Sequence, residues 1–142
     1  MTRTAVVAHS LGCWAGALAI SEGALVRRFV LIAPPGISAH ARWRGVGERL
    51  GLAPEQADRA REAFWARLGP SRGREFADVL SSLSTPMLFV HSLDDKLTPL
   101  EHTRALYAAC EDAAFFPVEG VNHRETARDA AVLAAIATFL EE

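Results

Sequence analysis

Four short apolar runs punctuate the chain: Thr4-Ala5-Val6-Val7-Ala8, Arg28-Phe29-Val30-Leu31-Ile32-Ala33, Pro86-Met87-Leu88-Phe89-Val90-His91 and Ala113-Ala114-Phe115-Phe116-Pro117-Val118. None alternates with polar residues, which is the pattern of strands buried on both faces of a parallel sheet. The proline of the fourth run sits near its end, where an edge strand tolerates the missing N–H. Between the runs the spacing turns helical. Gly12 to Glu22 is rich in alanine and precedes Gly23, so it predicts a helix with a glycine stop. Ala57, Ala60, Ala63, Phe64 and Leu68 share one helical face, with Pro54 near the start and Gly69-Pro70 at the end. Phe76, Val79, Leu80 and Leu83 predict a short helix, Pro99 to Cys110 another, and Thr126 to Leu140 a closing one. Strands that alternate with helices mean an α/β fold with a mostly parallel sheet. Residues 40–82 hold no strand signal, so a helical insertion over about 38–83 separates the second strand from the third.

A length of 142 residues fits one domain, 1–142. Half of the chain is hydrophobic and 23% is charged, which is a globular composition. The formal charge of −2 provides no field for nucleic acid or an anionic membrane. Ten of the fifteen basic residues lie between Arg27 and Arg74, and Arg59, Arg61, Arg72 and Arg74 read as a solvated face. Cys13 and Cys110 are too few for a disulfide scaffold or a cysteine zinc cage, and the five histidines lack metal-ligand spacing. No cofactor fingerprint or phosphate loop occurs. No apolar run reaches the length of a membrane span. Ala5 to Ile20, after Arg3, has some look of a secretion signal, but His9 and Ser10 interrupt it; a cytoplasmic protein with reduced thiols is the expectation.

Three polar residues stand just beyond predicted strands. Ser10, in Ala8-His9-Ser10-Leu11-Gly12, falls between a strand and a helix. A sharp turn there lifts a side chain above the sheet and puts backbone N–H groups at a helix N-terminus, as an oxyanion-forming nucleophile requires. Small Ala8 and Gly12 suit so tight a turn, and a bland alternative is that Ser10 caps the helix. Asp94 and Asp95 follow the third strand, where open α/β sheets keep their sites. For Asp94 the better reading is a turn that caps the helix near Pro99. His123 follows the fourth strand, and by itself would be an exposed loop histidine. Together the three make a serine, an acid and a base in chain order, with twenty-eight residues from Asp95 to His123.

These motifs resemble those of a serine α/β-hydrolase. Ala8-His9-Ser10-Leu11-Gly12 resembles the family's Gly-x-Ser-x-Gly elbow with Ala for the first Gly. Ser92-Leu93-Asp94-Asp95-Lys96-Leu97-Thr98-Pro99 resembles its Gly-x-x-Asp-x-x-x-Pro loop, which selects Asp95 as the acid. Gly120-Val121-Asn122-His123 resembles its Gly-x-x-His loop. The resemblance covers essentially the whole chain but only the part of the family's domain from the elbow onward. It implies a truncated α/β-hydrolase-like fold of about four strands with a helical cap. It also implies hydrolysis of carboxylic esters, short-chain ones expected, through an acyl-enzyme, with no cofactor or metal. Ser10 would be the nucleophile, His123 the acid–base, Asp95 its orienting partner and Leu11 N–H an oxyanion donor. The alternative is a non-catalytic half-domain that binds or assembles.

The family places several strands before its elbow, and one of their loops supplies a second oxyanion donor. Here the elbow strand begins four residues from Met1. It would therefore form an apolar edge without a proline or charge to blunt it. A homodimer that covers that edge or its face, and completes the site, is the expectation. Among the remaining residues, Trp43, Phe64 and Trp65 read as helix packing and Trp14 as packing beneath the elbow or onto a partner. Cys13 reads as a small buried residue and His9 as structural support, while His40 and His102 show no partner pattern.

Overall fold

The computed structural model describes residues 4–36, 45, 47–68 and 74–142. Its four strands are β1 (Ala5–His9), β2 (Arg28–Ile32), β3 (Met87–Ser92) and β4 (Ala113–Val118). They pair in parallel in the order β1-β2-β3-β4, so both ends of the sheet are the chain-order extremes. Helices α1 (Leu11–Ser21), α2 (Pro54–Leu68), α3 (Phe76–Ser81), α4 (Leu100–Ala108) and α5 (Ala130–Glu141) alternate with them. The elements lie within a residue or two of their sequence-based positions, apart from the start of the closing helix. There Thr126–Arg128 forms a separate 3-10 turn. Asp129 then caps α5 by accepting from the Ala131 and Val132 N–H groups.

Period-two alternation divides the core. Phe29 and Leu31 of β2 and Met87 and Phe89 of β3 point to one face, where they meet Cys13, Trp14 and Ala17 of α1, Phe76, Val79 and Leu80 of α3, and Leu106 of α4. Val30, Ile32, Leu88 and Val90 point to the other face, where Val132 and Ile136 of α5 cover them with Val118. Arg27 and Arg28 fasten the far end of α5: Arg27 donates to the Leu140 carbonyl, while Arg28 lies over the Phe139 ring and 3.6 Å from Glu142.

Several expectations need correction. The elbow strand was expected to be buried on both faces. β2 and β3 are, but β1 packs only Val6 and Ala8 into the core, and Val7, on the α5 side, is 49% exposed. No described residue continues the sheet beyond β1, and on that side of the sheet α5 lies over β3 and β4. Within the 38–83 stretch, α3 is no part of a cap. It is buried on the sheet, and Phe76 stacks on Trp14 with ring centroids 6.1 Å apart. That contact also places Trp14 in the core beneath the elbow. Arg74 is not a solvated residue either; it donates to Ser21 Oγ and Ser82 Oγ and so ties α1 to α3. Arg59 is exposed, and Arg61 pairs with Asp58 and Glu62 on the surface of α2. Trp43, His40, Arg72 and the side chains of Phe64 and Trp65 lie outside the described residues.

α1 lies close against the sheet at Gly16. A Cβ there would stand 3.0 Å from Phe29 Cε2, and Phe29 is fully buried on a central strand and cannot retreat. Gly16→Val therefore overpacks the helix–sheet interface, and we expect it to lower the unfolding free energy by about 1–3 kcal/mol. A urea titration with unchanged slope checks this; a neutral result would mean that α1 can shift off β2.

Candidate active site

Loops that leave the same end of parallel strands converge, and here three of them do. β1 runs into α1 through Ser10 alone. Its φ of 53° and ψ of −124° lie in the left-handed half of the map, which costs a non-glycine residue about 1–3 kcal/mol. Both sides of the turn hold it. Ser10 N–H donates to the Ile32 carbonyl at 2.9 Å, extending the β1–β2 ladder, and Cys13 N–H returns to the Ser10 carbonyl at 3.0 Å. The Cys13 thiol donates to the Ala8 carbonyl at 3.3 Å. Burial pushes that thiol up to about 12, so Cys13 is structural, as its sequence context suggested.

Ser10 does not cap α1: its side chain accepts nothing from the helix and makes no hydrogen bond to any described residue. As the first residue of α1, Leu11 has an N–H that the helix leaves unsatisfied. The small size of Gly12 is not forced for a methyl group, since a Cβ there would meet Ala8 Cβ at an ordinary 3.9 Å. Only a larger side chain would crowd the turn.

Asp95 lies in the loop after β3, and its carboxyl is fully buried. Oδ1 accepts from Leu97 N–H at 2.8 Å and Thr98 N–H at 2.9 Å. Oδ2 accepts from His123 Nδ1 at 2.6 Å. Burial raises this carboxyl, but the Thr98 N–H, the His123 ring and the Leu97 N–H together outweigh it, and Asp95 sits below the ordinary carboxylate range. It is thus ionised at neutral pH, and its Oδ2 can only accept. In that bond His123 Nδ1 is the donor, and the tautomer with its proton on Nδ1 has its lone pair on Nε2.

Asp94 is a second correction. It does not cap α4; the Asx turn toward Pro99 belongs to Asp95. Asp94 Oδ2 instead accepts the Gly120 N–H at 2.7 Å, across to the His123 loop. Leu93 N–H to the Val118 carbonyl and Ser92 Oγ to the Val121 carbonyl join the same two loops. Gly120 has φ 76°, which a side chain would strain, so the Gly-x-x-His spacing is a turn requirement. Asn122 completes that turn. Its Oδ1 accepts the Arg124 and Glu125 N–H groups, and its carbonyl accepts from Thr126. An Asn one residue before the histidine was a readable Asx signal that the sequence reading passed over.

His123 reaches the elbow through His9. His9 Nε2–H donates to the His123 carbonyl at 2.9 Å, and the two ring centroids are 4.9 Å apart. His9 is therefore the structural support it was expected to be. The structure brings Asp95 and His123 into direct contact and sets His123 against the residue that precedes Ser10. It does not join Ser10 Oγ to His123 by a hydrogen bond. A cavity of about 430 Å³ opens beside His123, lined by Asp94, Lys96, Leu97, Asn122 and Arg124. Among the described residues no group of three or more His, Cys, Asp or Glu gathers as metal ligands, and no helix is long and apolar enough to cross a membrane.

The histidine that sequence reasoning missed is His91, the last ring of β3. It is fully buried, and burial lowers it below its usual range against the pull of the Thr98 carbonyl and Asp95; His123 lowers it further. The folded protein thus binds fewer protons at His91 than the unfolded chain, whose histidines titrate near about 6.5. Its contribution to stability is lost as pH falls below that value. Asp95 acts lower: its contribution is intact above about 3.9 and is lost as pH falls through its depressed folded value. Urea unfolding free energies should therefore fall between pH 7 and pH 5, and His91→Gln should flatten that first decline; equal declines in both proteins would contradict the assignment.

Residues 58–142 match the family model described as TAP-like protein. No curated protein matches. Among solved structures, the esterase domain of a Rhodothermus marinus protein aligns at 22% identity and TM-score 0.63, over 92% of this chain and 57% of its own. Est1E from Butyrivibrio proteoclasticus aligns at 20% identity and TM-score 0.70, over 99% and 61%. A meta-cleavage product hydrolase from Pseudomonas fluorescens aligns at 15% and 0.61, over 96% and 63%. The chain thus spans about three-fifths of the length of these structures, and at such identities the likeness is one of fold. With the family model covering more than half of its residues, and four parallel strands between helices, the chain belongs to the TAP-like family and has the α/β-hydrolase fold from the elbow strand onward.

Proposed function

We propose that this chain carries the reacting residues of a serine hydrolase that cleaves carboxylic esters, short-chain ones foremost. The observation that supports this most is the 2.6 Å bond from His123 Nδ1 to ionised Asp95, on a histidine whose backbone is held by the residue next to Ser10. Ser10 Oγ attacks the ester carbonyl while His123 Nε2 takes its proton. Leu11 N–H faces the oxyanion. His123 then returns the proton to the leaving alcohol, and water attacks the acyl-Ser10 ester by the same relay to release the acid. The Ser10–His123 bond is one that tightens when substrate arrives, as catalytic hydrogen bonds in empty sites commonly do. The strained elbow supports the nucleophile role, because a mere helix cap would not need it. Esterases among the structural matches are consistent with this reaction.

Ser10→Ala should cut p-nitrophenyl acetate turnover by at least about 10⁴-fold, and Asp95→Asn by a similar factor through the wrong histidine tautomer. Unchanged turnover in Ser10→Ala would refute the nucleophile. The open edge of β1 favours a second reading, a hydrolase-like half-domain that binds another polypeptide and performs no chemistry. Covalent labelling of Ser10 by a fluorophosphonate separates the two, since an inert module would not react.

The oxyanion hole needs a second donor, and losing one costs about 10²–10³-fold in rate. On our reading a second copy packed on the β1 edge supplies it and covers half-exposed Val7. Size-exclusion chromatography with light scattering should give a dimer; a stable monomer with full turnover would overturn this.

A further inference from the structure

His91 is a buried polar ring that the reaction above does not use. The rest of β3 from Met87 to Val90 is apolar, so a phenylalanine or leucine would fill this position at less cost. The ring is instead satisfied at both nitrogens. Nε2 stands 3.0 Å from the Thr98 carbonyl, which can only accept, so Nε2 carries the proton. Nδ1 then accepts from the Thr103 hydroxyl of α4 at 2.8 Å. Thr98 is thereby held at two points: its carbonyl by His91 and its N–H by Asp95 Oδ1. His91 Nε2 is also 3.7 Å from Asp95 Oδ2, the oxygen that receives His123.

We propose that His91 is a positioning residue for Asp95: it holds the Thr98 carbonyl, and through residue Thr98, whose N–H Asp95 accepts, the plane of the carboxylate that orients His123. The catalytic weight of this inference rests on the esterase reading; the positioning itself does not. A chain runs from α4 through Thr103, His91 and Thr98 to Asp95 and His123. Each link fixes the donor or acceptor of the next, so the carboxylate has one orientation.

Two amide variants separate positioning from filling. The amide nitrogen of His91→Gln can replace imidazole Nε2 and keep the donor to Thr98. His91→Asn keeps an acceptor for Thr103 but withdraws that donor. The first readout is the downfield proton resonance of the short His123 Nδ1–H to Asp95 bond. The second is the division of any effect between kcat and KM for p-nitrophenyl acetate. His91→Gln should keep the resonance and hold kcat within about threefold, while His91→Asn should move the resonance upfield and lower kcat about 10- to 100-fold with KM within about twofold. An Asn variant that folds and keeps both would overturn the proposal. Should it fail to fold, Thr103→Val removes the hydroxyl that fixes the ring with almost no change of shape. It should shift the same resonance, and an unmoved one would overturn the proposal equally. A wild-type protein without turnover sinks only the esterase reading, because the resonance still reports the positioning. Normal turnover with an unaffected Asn variant sinks only the positioning.

Discussion

The site depends on one buried carboxylate. Asp95 has no exposed side-chain surface, and a carboxylate in that position is tolerable only when its oxygens are filled. Two backbone N–H groups of its own loop and one imidazole N–H from the next fill them. The first two bend the β3–α4 loop into a turn; the third draws in the loop after β4. Folding these loops and forming the histidine–carboxylate pair are therefore one event. Asp94, Ser92 and Leu93 reinforce that joint with bonds of their own to Gly120, Val121 and Val118. The two adjacent aspartates divide the labour. One orients the histidine ring and the other anchors the backbone that carries it.

The elbow is the opposite kind of device. Ser10 is held in an unfavourable conformation by what surrounds it: a ladder bond to β2 on one side and the burial of Cys13, Trp14 and Ala17 on the other. The strain is small against that burial, and its effect is to leave the hydroxyl clear of the helix end that would otherwise recruit it as a cap.

The sequence made the framework legible because apolar runs without polar alternation are the signature of parallel strands. β2, β3 and β4 fall within a residue of the apolar runs, and the loop residues that follow β1, β3 and β4 are those that gather. Less legible was everything set by contacts distant in the chain. His91 is one polar letter at the end of an apolar run, and nothing local says that Thr98 and Thr103 will satisfy it. The choice between Asp94 and Asp95 came from a family motif; their hydrogen bonds, which explain it, cross to residues 120–123. Arg74 reads as surface until Ser21 and Ser82, far apart in the chain, come beside it. Phe76, Val79 and Leu80 have one periodicity whether they cap a site or cover a sheet, and only the stack on Trp14 decides for the sheet.

The exposed side of β1 ties the unfinished parts together. Val7 is half exposed because α5 lies over β3 and β4, and no described residue pairs the outer edge of the strand that ends at the elbow. Leu11, two residues past that strand, offers a single N–H and an exposed side chain. An element laid along this edge would pair the ladder, bury Val7 and arrive beside the Leu11 N–H in one step. The Asp95–His123 pair is held entirely by the loops after β3 and β4, so an element packed on this edge would change the surroundings of the Leu11 N–H and leave the pair as it is.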